Sequence, residues 1–401
     1  MHFKNTLLIT AALALLCAGA AGATCNSTYV KQAGAVITVL PTNADDTQNL
    51  QCAFDRGSRM PGTIVQLAKG TYITDRILAK GFNGIVRGAG IDSTIIRNPN
   101  YPILVTPDDF YMTAPDAGGQ YPYLFVFLGG DYTVNDLTVS IVGDEPATDW
   151  SIFGIREWLG HGIKSLAGPF VILGSPTGRG YRHANAAFYH VKITGQATSD
   201  PLYGYNIYNG IFYQGFVGPD LQPLKGRFTV ANSIFDTVAS PAPVFNLVNS
   251  WVNISGNTFS NVYSGGELVD LKHTFYEFAH NKVTGVIGLQ MYDNCFGSES
   301  ICGMQSSELL IRNNHFRGTD GVLIDASFFN QTSALVLGNN FNDVTGLAVR
   351  LGPNTSRCMV IGAGQGNVQD LGTGNVIIGM KRISGASAAS ARSMQKMGDR
   401  D

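Results

Sequence analysis

The sequence is poor in charge: Asp, Glu, Lys and Arg make up 14% of its 401 residues, and the formal net charge is -2. So little charge excludes a coiled coil and a charged disordered chain, and it leaves no basic stripe for nucleic acid. Beyond the N-terminus no apolar run approaches the ~20 residues of a membrane helix, and no C-x-x-C pair offers the usual zinc spacing. Apolar residues, at 44%, and glycine, with 48 copies, are abundant, which favours a turn-rich β protein.

The N-terminus predicts a secretory signal peptide over residues 1–23. Lys4 supplies the positive charge, Leu7–Leu16 forms a short apolar core, and Ala21-Gly22-Ala23 fits the small-residue cleavage site. A lipoprotein signal ending at Cys17 is the alternative, although the residue before it is larger than such a signal prefers. In either case we expect export to the periplasm, the cell surface or the medium, without a membrane span.

Export would place the remaining cysteines in an oxidising compartment, where disulfides form. Cys25 with Cys52 would then tie down the N-terminus, and Cys295 with Cys302 would close a short loop. Cys358 is left over and is expected to be a small buried hydrophobic residue. Four N-x-S/T triplets, which are glycosylation sites only in a eukaryotic host, begin at Asn26, Asn253, Asn330 and Asn354.

A repeat of roughly 24 residues runs from about residue 228 to 380 and indicates a solenoid. The shared pattern is apolar-x-x-Asn-x-apolar, followed by Gly or Asp/Thr and then a second apolar strand. The aligned copies are 230–235, 254–259, 278–283, 311–316 and 336–341. Inward Val, Ile, Leu and Phe alternate with outward polar residues, and Gly and Asn suit corners with positive φ. The corner Asn side chains can stack along the axis and bond the backbone of neighbouring turns. Because helical and leucine-rich patterns are absent, a parallel β-helix fits best.

The N-terminal region carries a resemblance to a known family. Asp45–Phe54 predicts a short amphipathic helix behind an Asp N-cap. The strand and turn elements that follow are Gly62–Leu67, Lys69–Tyr72, Gly84–Gly90 and Ser93–Ile96. This order resembles the start of the pectate-lyase-like superfamily and covers most of 36–380. The resemblance implies an all-β, single-stranded right-handed parallel β-helix with a short N-terminal capping helix. It does not specify activity, because the superfamily includes lyases, hydrolases, epimerases and non-catalytic proteins.

One β-helix domain is expected over residues 24–380, since a solenoid grows by adding rungs, and its N-terminal cap is expected over 24–62. Three irregular stretches are expected to be loop insertions, which in solenoids often gather on the binding face. These are 100–122, 144–184 and 198–226. Residues 381–401 are expected to form a polar, disordered tail.

The second strand of each repeat predicts an acidic column on the outer surface. The corresponding positions of these strands are Asn246, Asp270, Gln290, Asp325 and Arg350. Asp270 and Asp325, two rungs apart at ~4.8 Å per rung, would lie on the order of 9–10 Å apart, near the upper end for inverting glycoside hydrolysis. One carboxyl would protonate the leaving oxygen while the other activates water. Lys272 or His273 could bind a uronate or act as a base, which completes the predicted catalytic set.

The predicted substrate-binding residues come from the same face and from the aromatic segment 200–223. They are Gln290, Tyr292, Arg350, Tyr203, Tyr205 and Tyr208. The tyrosine rings could stack on sugar faces, or they could be buried as a satellite core. The competing interpretation of the acidic column is a solvated surface, in which Asp325 pairs with Arg350 and Asp270 with Lys272.

Two family signatures are incomplete. Gly160–Lys164 resembles fragments of polygalacturonase motifs but lacks the N-T-D segment, and the R-x-P-x-x-R element of pectate lyases is absent. We therefore expect a secreted, monomeric protein that binds a pectin-like or other uronate polysaccharide. If it is an enzyme, we expect either a polysaccharide lyase or an inverting glycoside hydrolase, with calcium as a cofactor only of a lyase. The alternative is a non-catalytic surface or adhesive protein.

Overall fold

The computed structural model describes most of the chain from residue 25 to residue 383. The described residues are 25–74, 77–98, 123–141, 145–146, 168–173, 175–177, 180–182, 184–195, 204–205, 211–214, 226–240, 245–264, 269–285, 289–293, 308–326, 333–362, 364 and 366–383. The predicted signal peptide 1–23, the pair Cys295 and Cys302, and Tyr203 and Tyr208 lie outside them.

The N-terminal cap consists of a hairpin and one helix, β1 (Val30–Ala33), β2 (Val36–Val39) and α1 (Thr47–Gly57). Leu50, Ala53 and Phe54, three and four positions apart on α1, are fully buried, which confirms the predicted amphipathic helix. The ring of Phe54 packs edge-on against Phe82 and Phe127, with centroids 5.3 and 5.8 Å away. The helix therefore closes the N-terminal end of the hydrophobic core.

A disulfide and a buried carboxylate tie the cap to the first turn of the chain. Cys25 and Cys52 are bonded, as predicted, with Cα atoms 5.6 Å apart. Asp46 occupies the N-cap position of α1 without capping it. Its carboxylate instead accepts backbone N–H bonds from Thr42 at 2.9 Å and Ile73 at 3.3 Å. Burial raises the pKa of Asp46, and the two hydrogen bonds oppose that rise.

The first half of the coil contains parallel strands and two short antiparallel ribbons. The strands are β3 (Thr63–Leu67), β4 (Gly70–Ile73), β5 (Ile77–Lys80), β6 (Gly84–Arg87), β7 (Thr94–Arg97), β8 (Tyr123–Leu128), β9 (Gly130–Ile141), β10 (Glu145–Pro146), β11 (Gly168–Leu173), β12 (Ser175–Thr177), β13 (Gly180–Arg182), β14 (Ala184–Gly195), β15 (Gly204–Tyr205) and β16 (Ile211–Gln214). The ribbons β10–β15 and β12–β13 stand apart from the main sheet. However, β11 and β16 pair with coil strands, so the ranges 144–184 and 198–226, expected as insertions, also supply rung strands.

The second half follows the sequence repeat. Its strands are β17 (Gly226–Ala231), β18 (Ile234–Ser240), β19 (Phe245–Ser255), β20 (Thr258–Ser264), β21 (Val269–Ala279), β22 (Lys282–Gly285), β23 (Leu289–Asp293), β24 (Glu308–Arg312), β25 (His315–Gly318), β26 (Val322–Ala326), β27 (Ser333–Leu337), β28 (Asn340–Val344), β29 (Leu347–Leu351), β30 (Met359–Ile361), β31 (Asn367–Asp370), β32 (Val376–Ile378) and β33 (Lys381–Ile383). The last strand extends the coil three residues into the segment expected as a tail, 381–401.

The strands form three parallel faces around one core, which confirms the predicted right-handed parallel β-helix. Sheet A joins β3, β6, the first part of β9 and β14, β17, the second part of β19 and β21, β24, β27, β30 and β32. Sheet B joins β4, β7, the second part of β9 and β14, β18, β20, β22, β25 and β28. Sheet C joins β5, β8, β11, β16, the first part of β19 and β21, β23, β26, β29, β31 and β33.

The corner from sheet A to sheet B is built the same way in successive rungs. One residue per rung adopts left-handed backbone, with φ between 51° and 69°. These residues are Asp136, His190, Asn232, Gly256, His280, Asn313 and Gly338. Gly, Asn, Asp and His are the residue types that tolerate this conformation best, which explains why the corners are rich in them.

From Asn232 onward, the residue after each of these corners belongs to a hydrogen-bonded ladder in the core. We call Ser233, Asn257, Asn281, Asn314 and Asn339 the Asn ladder. Each asparagine Oδ1 accepts the backbone N–H of the preceding ladder residue at 2.8–2.9 Å. Each Nδ2 donates to a backbone carbonyl of the preceding rung at 2.8–2.9 Å. The ladder thus satisfies buried backbone groups that the turn leaves without sheet partners, as the sequence predicted.

Candidate functional site

The predicted catalytic carboxyls share one register column on sheet C. Asp270 of β21 pairs with Tyr292 of β23, and Tyr292 pairs with Asp325 of β26. Asn246 of β19 precedes Asp270 in the same column. At ~4.8 Å per rung, two rungs separate the Asp270 and Asp325 backbones by on the order of 10 Å. The backbone therefore brings together the two residues that the sequence put forward as the catalytic pair.

The register corrects two members of the predicted column. Gln290 and Arg350 both align with Leu323, two residues before the position of Asp325. They belong to a neighbouring column. Tyr292 occupies the position between Asp270 and Asp325 that the sequence pattern assigned to Gln290. A shift of two residues keeps every side chain on the same face of a strand, so the alternation of polar and apolar residues cannot reveal it.

The other predicted residues are placed as follows. Lys272 lies two positions after Asp270 and opposite Val248, and His273 lies where β21 passes from sheet C to sheet A. Tyr205 pairs with Glu145 in a ribbon outside the coil. The Nε of Arg350 is buried and has no hydrogen-bond partner among the described residues.

The buried Nε of Arg350 does not fit the competing interpretation, in which Arg350 is a solvated surface cation that pairs with Asp325. The Arg350 backbone pairs with Leu323 in one neighbouring rung and with Gln369 in the other. The expected pairing of Asp325 with Arg350 across directly facing positions is not what the register provides.

A shallow groove of about 450 Å³ lies on the outer surface of sheet A. Its polar lining includes Asn83, Asp131, Thr133, Asn185, Arg227 and Thr229. Gly84 and Ala187 form part of the floor, where small residues leave room above the sheet. Two asparagines fix the rim, since Asn83 accepts the backbone N–H of Asp131 and Asn185 that of Arg227, both at 2.9 Å.

A hydrogen-bonded polar chain crosses the same surface further along the axis. Asn253 donates from Nδ2 to Glu277 at 2.7 Å and accepts from the Ser255 hydroxyl at 2.8 Å. Glu277 forms a salt bridge with Arg312, whose Nε and Nη2 lie 2.8 and 2.7 Å from Oε1. The guanidinium of Arg312 also contacts His280 at 3.4 Å. The charge of Glu277 is therefore compensated within this chain.

Sequence reasoning missed the outer surface of sheet A. The predicted site residues of the coil all come from the second strand of each repeat. The first strand, which precedes the corner, contributed only to the predicted core pattern. The signal was present, because polar and aromatic residues alternate with buried ones in Arg227–Ala231 and Trp251–Ser255. Applying the period of two to these strands would have identified their outward positions.

Two further kinds of feature, clusters of metal-binding side chains and membrane-spanning helices, can be assessed in the described residues. Within them, no group of three or more His, Cys, Asp or Glu side chains is arranged to hold a metal ion. The described residues also contain no helix whose length and apolar character would let it cross a bilayer.

Comparison with known proteins gives structural likeness alone. No protein-family model matches the chain, and no curated protein matches its sequence. The A-module of the mannuronan C-5 epimerase of Azotobacter vinelandii is similar at 12% identity and a TM-score of 0.35, covering 86% of this chain and 94% of that one. The surface adhesin PfbA of Streptococcus pneumoniae is similar at 13% identity and a TM-score of 0.42, with 86% and 90% covered. The polygalacturonase of Erwinia carotovora ssp. carotovora is similar at 9% identity and a TM-score of 0.40, with 88% and 95% covered. Likeness at this level identifies no activity.

Proposed function

We propose that the protein binds a uronate polysaccharide along sheet C and cleaves it by inverting glycoside hydrolysis. The observation that supports this proposal is the register column in which Asp270 and Asp325 flank Tyr292. The backbone separation is on the order of 10 Å, just above the ~6.5–9.5 Å between carboxyl groups that leaves room for a water molecule in the inverting reaction.

In the proposed reaction one carboxylic acid protonates the glycosidic oxygen as the bond from the anomeric carbon to that oxygen breaks. The other carboxylate removes a proton from water, and the water oxygen bonds to the anomeric carbon from the opposite face. Lys272, two positions from Asp270 and on the same side of the strand by parity, would pair with a uronate carboxylate. His273 is the second candidate for that task or for proton transfer.

The ring of Tyr292 would lie between the two carboxyl-bearing rungs and contact the sugar that is being cleaved. Gln290 and Arg350, in the neighbouring column, would contact adjacent sugars. On the sequence pattern alone, Tyr203, Tyr205 and Tyr208 are the further candidates for stacking on sugars. The Cys25–Cys52 disulfide supports a place of action outside the cytoplasm. The proposed protein is therefore an exported glycan-active β-helix.

The test is a depolymerisation assay with uronate and neutral glycans. Reducing ends would report hydrolysis, and ultraviolet absorbance of an unsaturated product would report a lyase. We expect Asp270→Asn and Asp325→Asn each to lower the rate at least about 100-fold, the scale of general acid or base catalysis. Asp343→Asn is the matched control, because Asp343 is a half-exposed carboxylate on sheet B that pairs with His315.

Three outcomes would contradict the proposal in different ways. Hydrolysis that survives both substitutions at full rate would show that the catalytic pair lies elsewhere. An unsaturated product would replace hydrolysis by β-elimination. Binding without any product would leave the protein a surface or adhesive protein with no turnover.

A further inference from the structure

We propose that the outer surface of sheet A is a second glycan-binding site, in which Trp251 and Phe275 stack on a sugar and Arg227 binds a carboxylate. This inference deepens the proposed function, because it rests on the protein acting on uronate polysaccharide. It concerns residues on a different face from Asp270 and Asp325. The site would hold the polymer, whereas sheet C would cleave it.

The aromatic platform is the first observation. Trp251 and Phe275 are directly paired in adjacent strands of sheet A, with ring centroids 4.5 Å apart and planes at 39°. Val252 and Tyr276, the residues that follow them, point inward and are buried. Trp251 nevertheless leaves 46% of its surface exposed. A large apolar surface held open on a rigid sheet is what stacking on the apolar face of a sugar requires.

The charge beside the platform is the second observation. Arg227 lies one rung before Trp251 and pairs directly with it in sheet A. The two residues are therefore about 4.8 Å apart along the coil axis. The Arg227 side chain is exposed and forms no salt bridge within the described part of the chain. A fork of guanidinium N–H groups beside an open aromatic face matches a sugar that carries a carboxylate.

The charged side chains around Arg227 determine which ligand groups this part of the surface would accept. The Glu277–Arg312 pair beside the platform is neutral overall. Asp131 lies two rungs before Arg227 in the same column, and Glu308 lies next to Phe275 on the far side. Both carboxylates would repel a second sugar carboxylate and would accept hydrogen bonds from sugar hydroxyls. The surface therefore fits one carboxylate at Arg227 with hydroxyl groups on either side.

The groove supplies the continuation of the binding path. Arg227 contributes to the lining of the 450 Å³ groove, together with Asn185 and Asp131. The groove and the platform therefore form one track along the column, with polar groups at one end and rings at the other. A linear polymer running parallel to the coil axis fits this track, because successive rungs present a side chain about every 4.8 Å.

The test measures affinity for a uronate oligosaccharide and for a neutral oligosaccharide of equal length, by isothermal titration calorimetry. The Asp270→Asn/Asp325→Asn protein serves as the background, so that turnover does not deplete the ligand. We expect Trp251→Ala to weaken binding of both ligands about tenfold or more, the scale of one aromatic contact. Arg227→Gln should weaken only the uronate ligand, about tenfold, and Arg227→Lys should recover part of that loss.

Two matched variants control for general surface effects. Tyr189→Ala removes another exposed ring of sheet A, which is 42% exposed and lies in a different outward column. Arg87→Gln removes another exposed cation of the same sheet, which contacts Gln66. Both variants should bind like the background protein, and all variants should keep its melting temperature.

The inference is overturned if Trp251→Ala binds as tightly as the background protein, or if Tyr189→Ala weakens binding equally. It is also overturned if the uronate and neutral ligands bind alike and Arg227→Gln changes neither. Failure of the proposed hydrolysis is a separate result. In that case no glycan is cleaved by the unmodified protein, while Trp251-dependent binding remains measurable.

Discussion

Replacement of Asn281 by alanine tests the physical basis of the coil. The Asn281 side chain is 1% exposed and makes four hydrogen bonds. Its Nδ2 donates to the Ile254 carbonyl at 2.9 Å and to Asn314 Oδ1 at 3.1 Å. Its Oδ1 accepts from the backbone N–H and the Nδ2 of Asn257, at 2.8 and 3.0 Å. Alanine removes all four bonds and leaves their partners buried.

The magnitude follows from the number of bonds and from burial. A typical hydrogen bond contributes about 1 kcal/mol net, and each buried group left without a partner adds a desolvation cost. We therefore expect Asn281→Ala to lower the free energy of unfolding by about 4 kcal/mol. Asn339, at the C-terminal end of the Asn ladder, is half-buried and makes three such bonds, so Asn339→Ala should cost about 2 kcal/mol.

Urea unfolding followed by circular dichroism measures these losses, and hydrogen exchange locates them. In a solenoid the loss should appear as faster exchange in the rungs on either side of residue 281, because each rung contacts only its neighbours. Asn342→Ala, an exposed asparagine on sheet B, is the control and should change stability by less than about 0.5 kcal/mol. A loss below about 1 kcal/mol for Asn281→Ala would refute the view that the ladder carries the stability of the corner.

Three further predictions concern the cap, the buried Cys358 and the end of the ladder. Replacing Cys25 and Cys52 by serine should lower the free energy of unfolding by about 3 kcal/mol, the loop-closure scale for a loop of this length, with urea unfolding as the measurement. Burial raises the pKa of Cys358 to about 11, so at pH 8 its thiol should resist iodoacetamide in the native protein and react after unfolding. Mass spectrometry would show this, and rapid native labelling would contradict the buried position. Ser233 already accepts the backbone N–H of Val191, and Ser233→Asn should extend the ladder and raise the urea midpoint by an amount equivalent to about 1 kcal/mol.

Much of the fold was predictable because it is local and repeated. The corner asparagines, the alternation along Ile254–Phe259 and the N-terminal helix with Leu50, Ala53 and Phe54 each express a short-range rule. The Cys25–Cys52 bridge followed from the same N-terminal region. The strands β11 and β16 were assigned to insertions because long irregular segments on both sides obscure the period. Their place in sheet C depends on pairing with distant strands.

The candidate site was only partly predictable. Asp270 and Asp325 were proposed because both occupy corresponding positions of the repeat strand, and the backbone places them in one column. Their catalytic role stays a prediction. The sequence assigned Gln290 to the position that Tyr292 occupies, because gaps of unequal length separate the rungs. Trp251 and Phe275 were not singled out, since a lone aromatic residue in a strand has no partner until the rungs stack.

The sequence by itself determined the type of coil, its corners and the identity of the residues that face outward, because these depend on a period of two and on which residues accept positive φ. Tertiary structure alone decided which outward residues stand next to one another. A slip of two residues between rungs preserves every inward and outward position, so only interstrand hydrogen bonds select the register. That register places Tyr292 between Asp270 and Asp325, and it places Arg227 beside the rings of Trp251 and Phe275.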